Sequence, residues 1–189
     1  MTTEPTAPAQ PGPREGAGPA LYAATIAMGL SAGLYFAFDV SVMPGLDRGD
    51  DHTYVLAMRN INEAIENGLF GLVFFGAFLA TGLAAGQLRL LGRRAAARWA
   101  WAALALYGGV VALTTVVNVP LNRRLAAGGL SGAAGELAAL RGAFTRPWTR
   151  ANAVRTVACT AALACLGRAL TLRGRAATGK GSDRPAAQG

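Results

Sequence analysis

Three stretches of this sequence, 20–38, 67–88 and 99–121, run without a single Asp, Glu, Lys or Arg. A helix needs about 20 predominantly apolar residues to cross the hydrocarbon core of a bilayer, and each of these is long enough. A fourth candidate is weaker. Between Arg155 and Arg168 only 12 residues are uncharged, and a full span at 151–172 must keep an arginine inside each end. Arg168 can snorkel to the interface; Arg155 either does the same or turns inward toward a partner. Short links join the stretches, which makes neighbours antiparallel. The expected fold is all-α, a membrane-embedded antiparallel four-helix bundle with spans at about 20–41, 67–88, 99–121 and 151–172. The domain then occupies 20–172. Residues 1–19, rich in Pro, Ala and Gly, and the basic stretch 173–189 read as disordered tails.

The charges cluster at the ends of the apolar stretches. The formal net charge is +8, which in a soluble chain would raise nucleic-acid binding. Here the basic side chains lack the interleaved aromatics that stack bases. They sit beside apolar runs, where arginines face anionic lipid. The expected partner is membrane lipid and not nucleic acid. The link between spans two and three carries Arg89, Arg93, Arg94 and Arg98 without an acid, and the C-terminal stretch is also basic. The link between spans one and two is acidic, with only Arg48 and Arg59. This asymmetry puts both termini in the cytoplasm of a multi-pass cell-membrane protein, although Arg123, Arg124, Arg141, Arg146 and Arg150 in the longer third link oppose it. No secretory signal peptide is expected, because no basic segment abuts the first apolar run.

Between the spans, Pro44-Gly45 reads as a turn. It is followed by an amphipathic helix running into span two, with Val55, Met58, Ile61, Ile65 and Leu69 near one face. The stretch 122–150 reads as a long loop holding a short helix from Ala133 to Phe144. Gly29 with Gly33, and Gly82 with Gly86, form GxxxG pairs. Such pairs let helices approach closely. Packing within one bundle is the favoured reading, with homo-oligomerisation the alternative.

An antiparallel order brings the ends of spans one and three to the starts of spans two and four, at one membrane face. Nearly every unusual polar residue falls there: Asp39, then Asn62, Glu63, Glu66 and Asn67, then Asn118 and Asn122, then Trp148, Asn152 and Arg155. Asn118 and Asn122 are four apart on one side of a helix end, with Pro120 between them removing an amide. Trp148, Asn152 and Arg155 stand at i, i+4 and i+7 and share a helix face. Individually, such residues often cap helices or sit among headgroups. Their one-sided gathering points to a polar pocket. A charge within a span finds a partner, so Arg155 is expected to pair with Asp39, Glu63 or Glu66.

Other chemistry is scarce. The single histidine, His52, lies in an acidic loop beside Asp50 and Asp51. One histidine cannot supply a paired haem ligand set or a tetrahedral zinc site. Cys159 and Cys165 are six residues apart, on different helix faces, and read as packing residues. No phosphate-binding glycine loop or nucleophile elbow occurs. No cofactor or metal is expected.

Four segments carry a resemblance to a known family: Tyr35-Phe36-Ala37-Phe38 through Val42-Met43-Pro44-Gly45-Leu46; Met58-Arg59-Asn60-Ile61-Asn62 through Ile65-Glu66-Asn67; Asn118-Val119-Pro120-Leu121-Asn122; and Trp148 with Asn152-Ala153-Val154-Arg155-Thr156. With them the chain resembles the small four-pass membrane proteins that include the anthrone oxygenases of polyketide pathways. Gly68 departs from the pattern, since proline commonly follows the equivalent of Asn67. The resemblance implies a four-helix membrane fold and, by analogy, a function. Some relatives oxidise anthrones to anthraquinones with molecular oxygen and no evident cofactor; most have no known activity.

Two readings follow. In the first, the chain is a cofactor-independent oxygenase of an apolar, enolisable aromatic. Asp39, Glu63 or Glu66 would be the base, Asn118, Asn152 and Arg155 would hold the oxyanion, and Trp148 would stack on the ring. In the second, the same pocket of Asn62, Asn67, Asn118, Asn122, Trp148 and Asn152 binds a lipid or hydrophobic small molecule without turnover, or the chain assists a membrane partner.

Overall fold

In a computed structural model, which describes residues 17–129 and 134–178, the described chain is all-helical. Of the tails expected at 1–19 and 173–189, residues 1–16 and 179–189 lie outside the described residues, whereas 18–19 and 173–178 are helical. Helix α1 (Gly18–Ala37) passes through a π-helical turn at Phe38–Val42 into α2 (Met43–Leu46). The amphipathic helix is α3 (Asp51–Ile65) and the second span is α4 (Gly68–Leu90). Helix α5 (Arg94–Leu113) passes through a second π-helical turn, Thr114–Asn118, into α6 (Val119–Ala127). Helix α7 (Ala134–Thr178) ends the described chain. Four helices are long and apolar enough to cross a membrane: Gly18–Leu46, Gly68–Leu90, Arg94–Ala127 and Gly135–Gly174.

The four long helices form a bundle in which α1 and α5 each pack against both α4 and α7. Spans one and three are therefore diagonal. The bundle core is built largely from alanines, among them Ala24, Ala77, Ala84, Ala100, Ala103 and Ala162. Small side chains allow the close helix approach that drives packing where the surrounding lipid is as apolar as the core. The outer faces are apolar too: Leu69, Leu72, Leu79 and Val157 are all exposed. Within the core Tyr107 donates to the Phe74 carbonyl at 3.1 Å and lies 3.2 Å from the Ser31 hydroxyl. The turn from α4 to α5 closes on Gly92, whose φ of 73° is the left-handed conformation that glycine adopts without strain. Arg93 N–H then reaches back to the Leu88 carbonyl at 2.9 Å.

A second apolar cluster lies beyond the bundle. Phe38, Met43, Tyr54, Val55, Met58, Leu125, Leu137, Phe144 and Trp148 bring α3, α6 and the first turns of α7 together over the ends of the spans. Asp50 caps α3 by accepting from the Thr53 amide at 2.7 Å. That amide holds the Asp50 carboxyl below the usual carboxylate range. The cap is intact above the unfolded carboxylate pKa of about 3.9 and is lost as pH falls through the lowered value. Arg141 of α7 ties down the preceding turn. It donates to Asp47 Oδ1 at 2.7 Å, Asp51 Oδ1 at 2.9 Å and the Gly49 carbonyl at 3.1 Å, and lies over the Tyr54 ring.

Four local expectations change. Pro44-Gly45 is not a turn but lies inside α2, and burial of Met43 beside it holds the chain helical past the proline. The stretch 122–150 is not a long loop. Residues 122–127 remain helical, and the helix that starts at Ala134 does not stop at Phe144 but runs through Pro147 into span four. Leu137, Phe144, Trp148 and Ala151 form one buried stripe across the proline, so packing carries the helix past the lost amide. The amphipathic helix does not run into span two. It ends at Ile65, and Asn67 starts a new helix by accepting from Phe70 N–H at 3.0 Å. Leu69, beyond that break, is exposed rather than part of the buried face. Of the four glycines in the GxxxG pairs, a methyl added at Gly82 would meet a bundle neighbour, Leu104, whereas one at Gly29, Gly33 or Gly86 would meet nothing.

Candidate functional site

The two π-helical turns occupy matching places, each ending two residues before a proline, Pro44 or Pro120. A proline removes an amide from the helical ladder, and a π-helical turn shifts the ladder by one residue; both free carbonyls and re-aim side chains. The first turn follows Tyr35 and contains Asp39. The second contains Thr114 and Asn118. Residues from these turns meet α3, α4 and α7 around a cavity of about 110 Å³ between the alanine core and the outer apolar cluster.

Its lining includes Tyr35, Asn62, Glu66, Thr114, Asn118, Asn122, Trp148, Asn152 and Arg155, with Leu34, Phe38, Ile65 and Phe70 as apolar walls. Among the described residues, six buried side-chain nitrogen or oxygen atoms lack a hydrogen-bond partner. Five of them belong to residues on this cavity: the Tyr35 hydroxyl, Asn62 Nδ2, both Asn118 amide atoms and Arg155 Nε. Buried polar groups are normally paired, so a cluster of unpaired ones around a void is the arrangement a polar ligand would complete.

Arg155 is buried yet has no carboxylate partner. The expected pairing with Asp39, Glu63 or Glu66 does not form; among the described residues the ion pairs are those of Arg141. Arg155 Nη2 donates to Asn152 Oδ1 at 2.8 Å and Nη1 to Thr114 Oγ1 at 3.4 Å. Its guanidinium carbon lies 4.4 Å from the Tyr35 ring centre and 5.4 Å from the Trp148 ring. Aromatic faces and an amide thus share the charge that a single carboxylate was expected to neutralise.

The predicted residues divide. Asn62, Glu66, Asn118, Asn122, Trp148, Asn152 and Arg155 gather at the cavity. Trp148 Nε1 donates to Asn122 Oδ1 at 2.9 Å. Asn67 is exposed and structural, since it caps α4 and donates to the Ala64 carbonyl. Glu63 is exposed and off the cavity. Asp39 lines a separate open depression with Met43, Pro44, Asp47, Thr145 and Thr149. It reaches the site only through Asn152, which donates to its Oδ1 at 2.6 Å. Tyr35 and Thr114 are additions. Thr114 stands four residues before Asn118, and that spacing is the signal that places it near the same helix face; Tyr35 stands four before Asp39, which lines the other opening, so spacing gave no such signal for it.

The family model described as anthrone oxygenase matches residues 58–165, more than half of the chain. The chain belongs to the anthrone oxygenase family. No curated protein and no solved structure matches it. The stretch shared with the anthrone oxygenase family holds Asn62, Glu66, Asn118, Asn122, Trp148, Asn152 and Arg155; Tyr35 and Asp39 precede it.

Proposed function

We propose that this member of the anthrone oxygenase family is a membrane oxygenase that converts the acidic methylene of an anthrone-like aromatic to a carbonyl, with molecular oxygen as co-reactant. Glu66 is the base, as the one carboxylate of the three candidates on the cavity. It takes a methylene proton, and the electron pair moves into the ring system as an enolate. Asn62, Asn118 and Arg155 Nε donate to that oxyanion. The carbanion bonds to oxygen and, with the proton returned, gives a hydroperoxide. Loss of water from it leaves the carbonyl. The methylene gives up four electrons and dioxygen takes all four, so one anthrone and one dioxygen yield one quinone and one water. The observation that carries this reading is the cluster of unpartnered buried donors on residues that line one cavity, together with the Glu66 carboxylate. Such donors stabilise charge that develops in a water-poor site.

Purified protein in detergent, given an anthrone, should consume dissolved oxygen and form quinone in equal molar amounts, faster than the spontaneous rate. Uptake no faster than in protein-free detergent sinks the oxygenase reading for that substrate. If the anthrone then still bound, the ligand-binding role without turnover would be the one that remains.

We also propose, from the distribution of arginines, that the arginine-rich ends of α4, α5 and α7 lie in the cytoplasm and the cavity at the opposite face of the cell membrane. With Cys159 and Cys165 replaced by alanine, a cysteine at His52 should react in intact cells with a membrane-impermeant maleimide and one at Arg94 should not. The reverse pattern would invert the topology.

A further inference from the structure

Asp39 is one of the candidate carboxylates that the proposed reaction leaves unused. It sits in the π-helical turn of span one and precedes the stretch 58–165 shared with the family. Both its oxygens are engaged from α7. Asn152 Nδ2 donates to Oδ1 at 2.6 Å, and the Thr156 hydroxyl donates to Oδ2. Asn152 Nδ2 also donates to the Tyr35 carbonyl at 2.8 Å. With two acceptors at its nitrogen, the Asn152 amide has one permitted orientation, because a flip would set its oxygen against two others. Its Oδ1 must then face Arg155, which donates to it at 2.8 Å.

We infer that Asp39 is a positioning residue that acts through Asn152 to hold the Arg155 guanidinium at the cavity. The intervening amide has a chemical consequence. A carboxylate in contact with the guanidinium would take two of its N–H donors in parallel. An amide oxygen takes one, leaving Arg155 Nε free. Why this donor matters rests on the oxygenase reading; the hydrogen-bonded relay itself is tested without substrate.

The reporter is Trp148, whose ring faces Arg155. With the two other tryptophans replaced, Trp99→Phe and Trp101→Phe, it is the sole indole emitter. Asp39→Ala should shift its fluorescence emission as Arg155→Met does. Asp39→Asn, which retains an acceptor for Asn152, should keep the starting emission. In an Arg155→Met background Asp39→Ala should add nothing, because the guanidinium that Asp39 positions is gone. A further shift there would mean that Asp39 merely supports the helix, and would overturn the inference. Unchanged emission in Asp39→Ala alone would do the same. Should Asp39→Ala not be recovered as monodisperse protein, Asp39→Ser, too short to reach Asn152, replaces it with the same outcomes. No oxygen is measured, so failure of the oxygenase reading would leave this result standing.

Discussion

Asn118→Leu should make the protein more stable and, at the same time, remove its activity. The side chain is 3% exposed, and neither its nitrogen nor its oxygen has a partner. A buried polar group left unsatisfied costs about 1–3 kcal/mol, and an apolar side chain of similar size relieves that penalty. The thermal midpoint in detergent should therefore rise. Activity should move the other way. Loss of one donor to a developing oxyanion typically lowers turnover by about 10²–10³, and Asn118 lines the cavity with an amide that no protein group engages. The opposite signs make the test sharp. A purely structural asparagine would lose stability on replacement and leave turnover alone. A leucine variant with a lower midpoint and full oxygen uptake would remove Asn118 from the site and weaken the oxyanion assignment.

Much of this was legible in the sequence, for a physical reason. Hydrocarbon tolerates few charges, so uncharged runs marked the spans, and antiparallel connectivity then fixed which polar helix ends would meet. Asn118 with Asn122, and Trp148 with Asn152 and Arg155, followed from helical spacing alone, and all of them line the cavity. Spacing within a helix did not reveal its rotation relative to its neighbours. Asp39 shares the correct membrane face, yet lines a different opening. Glu63, Glu66 and Asn67 are all exposed at the entrance to span two, and only Glu66 borders the cavity.

The π-helical turns were the least visible feature. Pro44 and Pro120 announce a lost amide, but a proline can equally end a helix, and Pro44-Gly45 reads as a turn on that basis. What decides is long-range packing. Phe38, which opens the first turn, and Met43, which follows it, are buried in the outer cluster with residues of α3 and α7, and that burial holds the chain helical through the shifted ladder. Pro147 makes the same point in α7. Local propensity argues for a break, and the buried stripe from Leu137 to Ala151 overrides it.

Asn152→Leu should be the mirror image of Asn118→Leu, destabilising the protein as well as silencing it. Asn152 is fully buried, and every polar group of its side chain is used: the nitrogen serves the Tyr35 carbonyl and Asp39, and the oxygen serves Arg155. Leucine fills the space but satisfies none of them. It leaves the Arg155 guanidinium, the Tyr35 carbonyl and one Asp39 oxygen without that partner. A hydrogen bond to a charged group is worth about 1.5–3 kcal/mol, and the two lost here, to Arg155 and Asp39, together outweigh what a leucine recovers by its own burial. The midpoint in detergent should fall clearly below that of the unmodified protein, with oxygen uptake at the spontaneous rate. Two asparagines at one cavity, replaced by the same side chain, would thus shift stability in opposite directions while both removing activity. Only the hydrogen-bond state of the amide separates them: Asn118 awaits a partner from outside the chain, whereas Asn152 is already bound within it. Equal stability changes in the two variants would show that the difference in pairing between the two amides does not govern the site.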